Sequence, residues 1–268
     1  MTAMKPVGCI TTSWDDGHPL DLRLAELLTK YGLRGTFYVP MTAEHGTMTS
    51  AQVRTLGGVF EIGAHTLHHV DLSRATEKQA RQEIADSQSW VEDVVGRPCR
   101  LFCPPKGRYS ARHLHMVRQA GFAGVRTVEL LSLDLPRFQA GLFVLPTTVQ
   151  AHPHGRLAYG RNAIRRGAFR NLWRYAVRGF PIDWTGLARS LLNRVLECGG
   201  VFHLWGHSWE LEQTGQWRRL EEVLRFLGEF TGEAPARTNG EVCRAADGIN
   251  KDRYSAMCDP PLERRPVA

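Results

Sequence analysis

No stretch of this chain approaches 18 consecutive apolar residues, so no segment has the length to cross a bilayer as a helix. Residues 1–6 lack the apolar core of a secretory signal and lead almost directly into a strand-like run, from which a cytoplasmic location is expected. The six cysteines (Cys9, Cys99, Cys103, Cys198, Cys243, Cys258) include no Cys-x-x-Cys pair and no small-scaffold spacing, so free thiols are expected rather than a disulfide frame. Internal repeats and low-complexity tracts are missing too. So are the usual nucleic-acid-binding modules, and aromatic residues rarely interleave with basic ones, which removes nucleic acid from the expected partners.

What is present is ordinary in amount and uneven in placement. A 43% hydrophobic content over 268 residues suffices for the core of one barrel-sized domain. The formal net charge is +7, and much of the excess falls in one stretch: Arg156, Arg161, Arg165, Arg166, Arg170, Arg174 and Arg178. That stretch reads either as a solvated helix face or as a docking surface for an anionic substrate or membrane headgroups.

Apolar runs at 7–13, 34–40, 60–66, 99–105, 123–128, 141–149 and 199–206 read as strands. Helical patterns lie between many of them. In 19–31, Leu20, Leu24, Leu27 and Leu28 recur at helical spacing, and Gly32 stops the run. The segment 76–95 opens on Thr76 and Gln79, a capping box, and closes at Gly96. Further helices are expected over 110–120 and 185–198. Strands alternating with helices predict a parallel sheet, and seven of them predict a distorted seven-stranded (β/α) barrel in a single α/β domain. Its expected extent is residues 1–230, with an Arg-rich insertion at about 150–184. Residues 231–268 are expected to add one short helix near 241–246 and a poorly ordered tail.

Four polar clusters each follow a candidate strand, at the end of a parallel barrel where active sites are built. In Ser13-Trp14-Asp15-Asp16-Gly17 two adjacent carboxylates repel each other unless a cation or a division of labour separates them; a helix cap followed by a turn would read the same way. In His65-Thr66-Leu67-His68-His69 the outer histidines have a spacing that can bring two imidazoles to one cation, although His-rich loops are often only loops. Cys103-Pro104-Pro105-Lys106-Gly107 is a sharp turn able to aim an N–H into a cleft. Leu204-Trp205-Gly206-His207 ends on a histidine that is either an acid–base group or a satisfied, partly buried residue. Together they make a set: one carboxylate and two histidines leave a metal with open positions, and a second carboxylate and a third histidine remain as base and acid.

In this order the clusters resemble the polysaccharide deacetylases with NodB homology (carbohydrate esterase family 4), from about residue 8 to 210. Ser-Trp-Asp-Asp-Gly resembles the family's first motif, Thr-Phe-Asp-Asp-Gly, and His65-Thr-Leu-His-His69 its His-Ser/Thr-x-x-His motif. Leu204-Trp-Gly-His207 resembles the closing Leu-x-x-His, and Pro181-Ile-Asp183-Trp184 the Asp-Trp motif before it. The resemblance implies a NodB-type barrel and a deacetylase acting on an N-acetylated sugar or glycan precursor. It implies that Asp16, His65 and His69 hold a divalent ion, usually zinc, with cobalt, nickel and manganese as alternatives. Asp15 would be the base and His207 the acid. The N–H of Lys106, after Pro105, would meet the oxyanion, and Leu204 and Trp184 would wall an acetyl pocket, with Asp183 in support.

One departure stands out. Where the family's third motif begins with an arginine that contacts the catalytic aspartate, this chain has Cys103, which lacks a guanidinium's charge and donors. Arg126, at the end of the next candidate strand, is expected to supply that support. Three other readings remain open: an iron(II) oxygenase triad, which the strand–helix alternation disfavours; a silent carbohydrate-binding barrel; and an amidohydrolase on a small non-sugar amide. With no export signal, a soluble nucleotide-linked or lipid-linked precursor is the expected substrate, its phosphate meeting the arginine stretch.

Overall fold

The computed structural model describes residues 8–176 and 183–258. In chain order the elements are β1 (Gly8–Asp15), α1 (Asp21–Lys30), β2 (Thr36–Val39), α2 (Ser50–Gly57), β3 (Glu61–Ala64), α3 (Glu77–Val95), β4 (Leu101–Phe102), a 3-10 turn (Pro105–Gly107), α4 (Ala111–Gln119), β5 (Gly124–Arg126), β6 (Arg137–Gln139), β7 (Leu142–Leu145) and β8 (Val149–Gln150). There follow α5 (Arg156–Arg166), α6 (Phe169–Ala176), α7 (Trp184–Cys198), β9 (Gly200–Gly206), α8 (Ser208–Gln213), α9 (Trp217–Glu229), β10 (Ala236–Arg237) and α10 (Asn239–Cys258).

The strands form one curled, mostly parallel sheet in the order β6-β7-β5-β4-β3-β2-β1-β9-β8, with β10 pairing the first half of β1. Nine strands along the path replace the seven expected. The run 141–149 breaks at Pro146, which has no N–H for a ladder, so β7 joins β5 while β8 joins β9. Only residues 146–148 separate these two strands, so a single stretch of chain borders both β5 and β9. The strand β6, antiparallel to β7, is exposed and carries none of the apolar alternation that signals a strand.

The pleat of β1 assigns its residues to two faces. Ile10 and Trp14 pack outward in the main core with Phe37, Phe202, Leu24, Leu28, Leu191 and Val195. Ser13 and Asp15 face the inside of the curl. There Tyr38, Leu101, Cys103, Phe143 and Leu145 pack against Cys243 and Ala246 of α10. Residues 236–246, expected to lie outside the barrel, are therefore built into the domain. Residues 236–246 close the floor of the curl: Asn239 receives the Thr11 hydroxyl at 3.0 Å and donates its amide to the Tyr38 hydroxyl at 3.0 Å. A short polar segment signals no such role in sequence, because its three buried apolar residues have value only against the interior they fill.

Candidate active site

Asp16 follows β1 in the left-handed region (φ 77°), and three more non-glycine residues at this end of the sheet share it: Thr66, His69 and Lys106. Each such backbone costs about 1–2 kcal/mol and persists only where its surroundings hold it, which is common where side chains are aimed at a site. Asp16 Oδ1 lies 3.3 Å from His65 Nε2 and 3.0 Å from His69 Nε2. The three ligand atoms fall within 4.8 Å of one another, and both Asp16 and His65 are buried.

These atoms fit a divalent ion. His65 Nδ1 donates to the Cys103 carbonyl at 2.6 Å, which fixes the tautomer and leaves Nε2 with its lone pair toward Asp16. Asp16 Oδ2 accepts from Trp209 Nε1 at 2.8 Å, while Oδ1 is a buried oxygen lacking a hydrogen-bond donor. Burial works to raise the Asp16 carboxyl, but the close approach of the His65 and His69 imidazoles and the charge of His207 override it and hold it far below the usual range. His68, between the ligands in sequence, turns away to Glu83 at 2.8 Å. A second group, Asp15, His65 and Cys103, is also close enough to share an ion. Burial and the Asp15 charge keep the Cys103 thiol well above its usual range, so it stays protonated and serves that role poorly.

Asp15 is 2% exposed, and its Oδ2 accepts from Trp205 Nε1 at 2.8 Å and from Cys103 Sγ at 3.4 Å. Here the expectation for Arg126 fails. Its buried guanidinium donates to the Pro146 carbonyl and to Asn239 Oδ1, at the floor of the curl. An arginine without carboxylate contact must find neutral acceptors when buried, and these two lie nearer the floor than Asp15 does. Two weaker neutral donors, a thiol and an indole, thus hold the carboxylate where an arginine was expected.

The pleat also corrects the pocket walls. Trp205 faces inward to Asp15, so its neighbour Leu204 faces outward; Leu204 is fully buried in the helix-covered core. Trp184 is likewise fully buried there, and its indole N–H meets Gln216 at 3.1 Å. Asp183 caps α7 through the N–H groups of Thr185 and Gly186 and pairs with Arg219 at 3.4 Å, contacts that lie apart from the site. Neither Leu204 nor Trp184 presents surface to an acetyl group. Pro181 and Ile182 of that motif lie outside the described residues.

His207 follows β9, and its Nδ1 meets Glu210 Oε2 at 2.7 Å. Burial tends to lower the imidazolium pKa; the Glu210 bond and the charges of Asp16, Glu210 and Asp15 outweigh it and raise the value to about 9. The same glutamate accepts from Gln150 at 3.0 Å. In the turn 105–107, Pro105 is buried and Lys106 has an exposed side chain on a left-handed backbone. A Cβ on Gly107 would meet Val128 Cγ2 at 2.2 Å, so the turn packs this closely only with glycine there. Beside it opens a cleft of about 1210 Å³, lined by Lys106, Arg108, Arg161, Arg165 and Arg166 among others. Trp205, Trp209 and Glu210 were not foreseen: each sits beside a recognised motif, but nothing in the spacing says which way it points.

Fold and constellation together define an α/β domain that gathers a carboxylate and two imidazoles at its strand ends, flanked by a second aspartate and a cationic histidine. Residues 3–125, which carry the first three polar clusters, match the family model described as polysaccharide deacetylase. Over that stretch the chain is similar to the polysaccharide deacetylases. YxkH of Bacillus subtilis (strain 168), assigned as a polysaccharide deacetylase, is 28% identical over 125 residues, 44% of each chain. The peptidoglycan-N-acetylglucosamine deacetylase of Bacillus cereus is 27% identical over 119 residues, 43% of this chain and 54% of that protein. The aligned stretch thus spans about half the length of these curated relatives. Among solved structures, a protein from Mycobacterium smegmatis assigned as a polysaccharide deacetylase superposes with a TM-score of 0.66 at 15% identity, covering 100% of this chain and 98% of that one.

Proposed function

We propose that this chain is a metal-dependent hydrolase that removes the acetyl group from an N-acetylated sugar, with acetate and the free amine as products. The observation that carries the reading is the convergence of Asp16, His65 and His69 on one point, with the second aspartate held separately by Cys103 and Trp205. A divalent ion held by the three, zinc by its liking for imidazole and carboxylate, would polarise the acetyl carbonyl and acidify water. Asp15, kept from pairing with a cation, takes the proton from the attacking water. The Lys106 N–H donates to the oxygen that gains charge in the tetrahedral intermediate. His207, protonated at neutral pH, returns a proton to the departing nitrogen as the C–N bond breaks. A phosphate carried by the sugar would meet the cationic cleft beside Lys106.

Acetate release from free, nucleotide-linked, lipid-linked and polymeric N-acetylated sugars, with and without chelator, tests this. Chelator-sensitive release is expected, and Asp15→Asn lowers turnover about 10²- to 10⁴-fold. Release from simple amides alone would favour an amidohydrolase of other specificity. A bound ion with no release from any of these would point to a silent binding domain.

A further inference from the structure

Seven large apolar side chains stand conspicuously exposed among the described residues, and four of them fall within a 17-residue span: Leu157 at 80%, Ile164 at 63%, Phe169 at 65% and Trp173 at 67%. On α5, Leu157, Arg161, Ile164 and Arg165 follow one another at i, i+4, i+7 and i+8, so apolar and cationic groups share one face. On α6, Phe169 and Trp173 are one turn apart, and this helix is strongly two-faced, with Asn171 buried on its other side. Residues 155–182 contain no aspartate or glutamate at all. Of the cations, Arg170 pairs with Asp134, and Arg166 meets the Gly107 carbonyl and lies over the Tyr109 ring at 5.2 Å. Among the described residues Arg161 and Arg165 carry no ion pair, and the described lining of the cleft they share with Lys106 includes no carboxylate. Arg178 lies outside the described residues, as do the side chains of Arg156 and Arg174.

An ordinary solvated face would not expose four large apolar groups, and a protein-core contact would not intersperse them with unneutralised arginines. Aromatic and aliphatic groups beside arginines on short helices are the composition of a segment that lies in the headgroup layer of an anionic bilayer, apolar groups inward and cations on the phosphates. Spanning is not involved, since no described helix is long and apolar enough to cross a membrane. We propose that α5–α6 is a surface-docking element for anionic lipid, with Leu157, Ile164, Phe169 and Trp173 entering the interface and Arg161 and Arg165 engaging lipid phosphate. The element is held firmly to the domain: Asn162 donates to the Val128 carbonyl at 2.7 Å and accepts from the Leu130 N–H at 3.0 Å. Arg166 ties it to the turn that carries Lys106. Docking would therefore bring the mouth of the site to headgroup level. The proposal does not rest on the deacetylation reading and is tested without any substrate.

The test is co-sedimentation of the full chain with phosphatidylcholine vesicles, with and without phosphatidylglycerol, over a range of salt. Partitioning to the anionic vesicles and weakening as salt rises is expected. Replacing Arg161 and Arg165 with Gln, or Leu157, Ile164, Phe169 and Trp173 with Ser, lowers the partition coefficient about tenfold or more in each case. Circular dichroism confirms that both variants fold, as exposed positions allow. Equal binding by the variants, no binding by the native chain, or displacement of all binding by millimolar inorganic phosphate would overturn the proposal. So would a dimer, seen in size-exclusion chromatography, that the Ser variant abolishes, because the apolar face would then be covered by a second copy.

Discussion

The site around Asp15 and Asp16 and the α5–α6 face both concentrate charge, but they do so in opposite ways. At the site the charges are buried and aimed, with Trp209 on Asp16, Trp205 on Asp15 and Glu210 on His207. On α5–α6 the cations are exposed, and two of the four described arginines are unpaired. Buried charges in a low dielectric act individually, so a single lost donor is felt; exposed ones are screened and act only as a sum. The comparison predicts where single substitutions matter.

Among substitutions that remove only a supporting donor, the largest effect should come from Trp209→Phe, which leaves an aromatic ring beside His45 and deletes the N–H that orients Asp16. Divalent-ion affinity, measured by calorimetric titration, is expected to fall about 10- to 100-fold, as for other partners that orient metal ligands. Unchanged affinity would show that Asp16 is aimed by its backbone alone. Next comes Glu210→Gln. Removing the anion beside His207 lets its pKa fall from about 9 toward the ordinary 6.5, so the alkaline limb of the pH–rate profile shifts to lower pH. A raised histidine pKa contributes stability that is complete below about 6.5 and lost as pH rises through about 9. Thermal melts of the variant should therefore lose the part of the pH dependence that falls in that window. The smallest effect belongs to the exposed face. Arg170→Gln breaks the pair with Asp134, yet unfolding stability should change by less than about 1 kcal/mol. A larger loss would mean that α6 is anchored by that pair rather than by Asn171, which donates to the Leu130 carbonyl at 3.1 Å.

The cysteine at position 103 shows how far a motif can be read. Its place in the sequence shows the arginine to be missing, and Arg126, at the end of the next candidate strand, is the cation expected to replace it. What decides the matter is direction. Arg126 points to the floor, where Asn239, more than a hundred residues later, receives it, while the thiol itself reaches Asp15. The same blindness placed Leu204 at the pocket: a motif names residues, but the pleat of β9 decides which of two neighbours faces the site.

By itself the sequence determined the local elements and the donor chemistry. Apolar runs matched most of the strands, Thr76 and Gly96 bound α3 as capping chemistry requires, and the spacing of His65 and His69 named two candidate ligands, to which the family resemblance added Asp16. Those are short-range properties, set by backbone preference and side-chain type. Only the tertiary structure decided that the run at 141–149 divides at Pro146, that β10 and α10 close the curl, and that Trp205 and Trp209 orient the two aspartates. Each depends on residues distant in the chain meeting inside the curled sheet, where burial obliges every polar atom to find a partner and the backbone, rather than the order of residues, determines which partner is in reach.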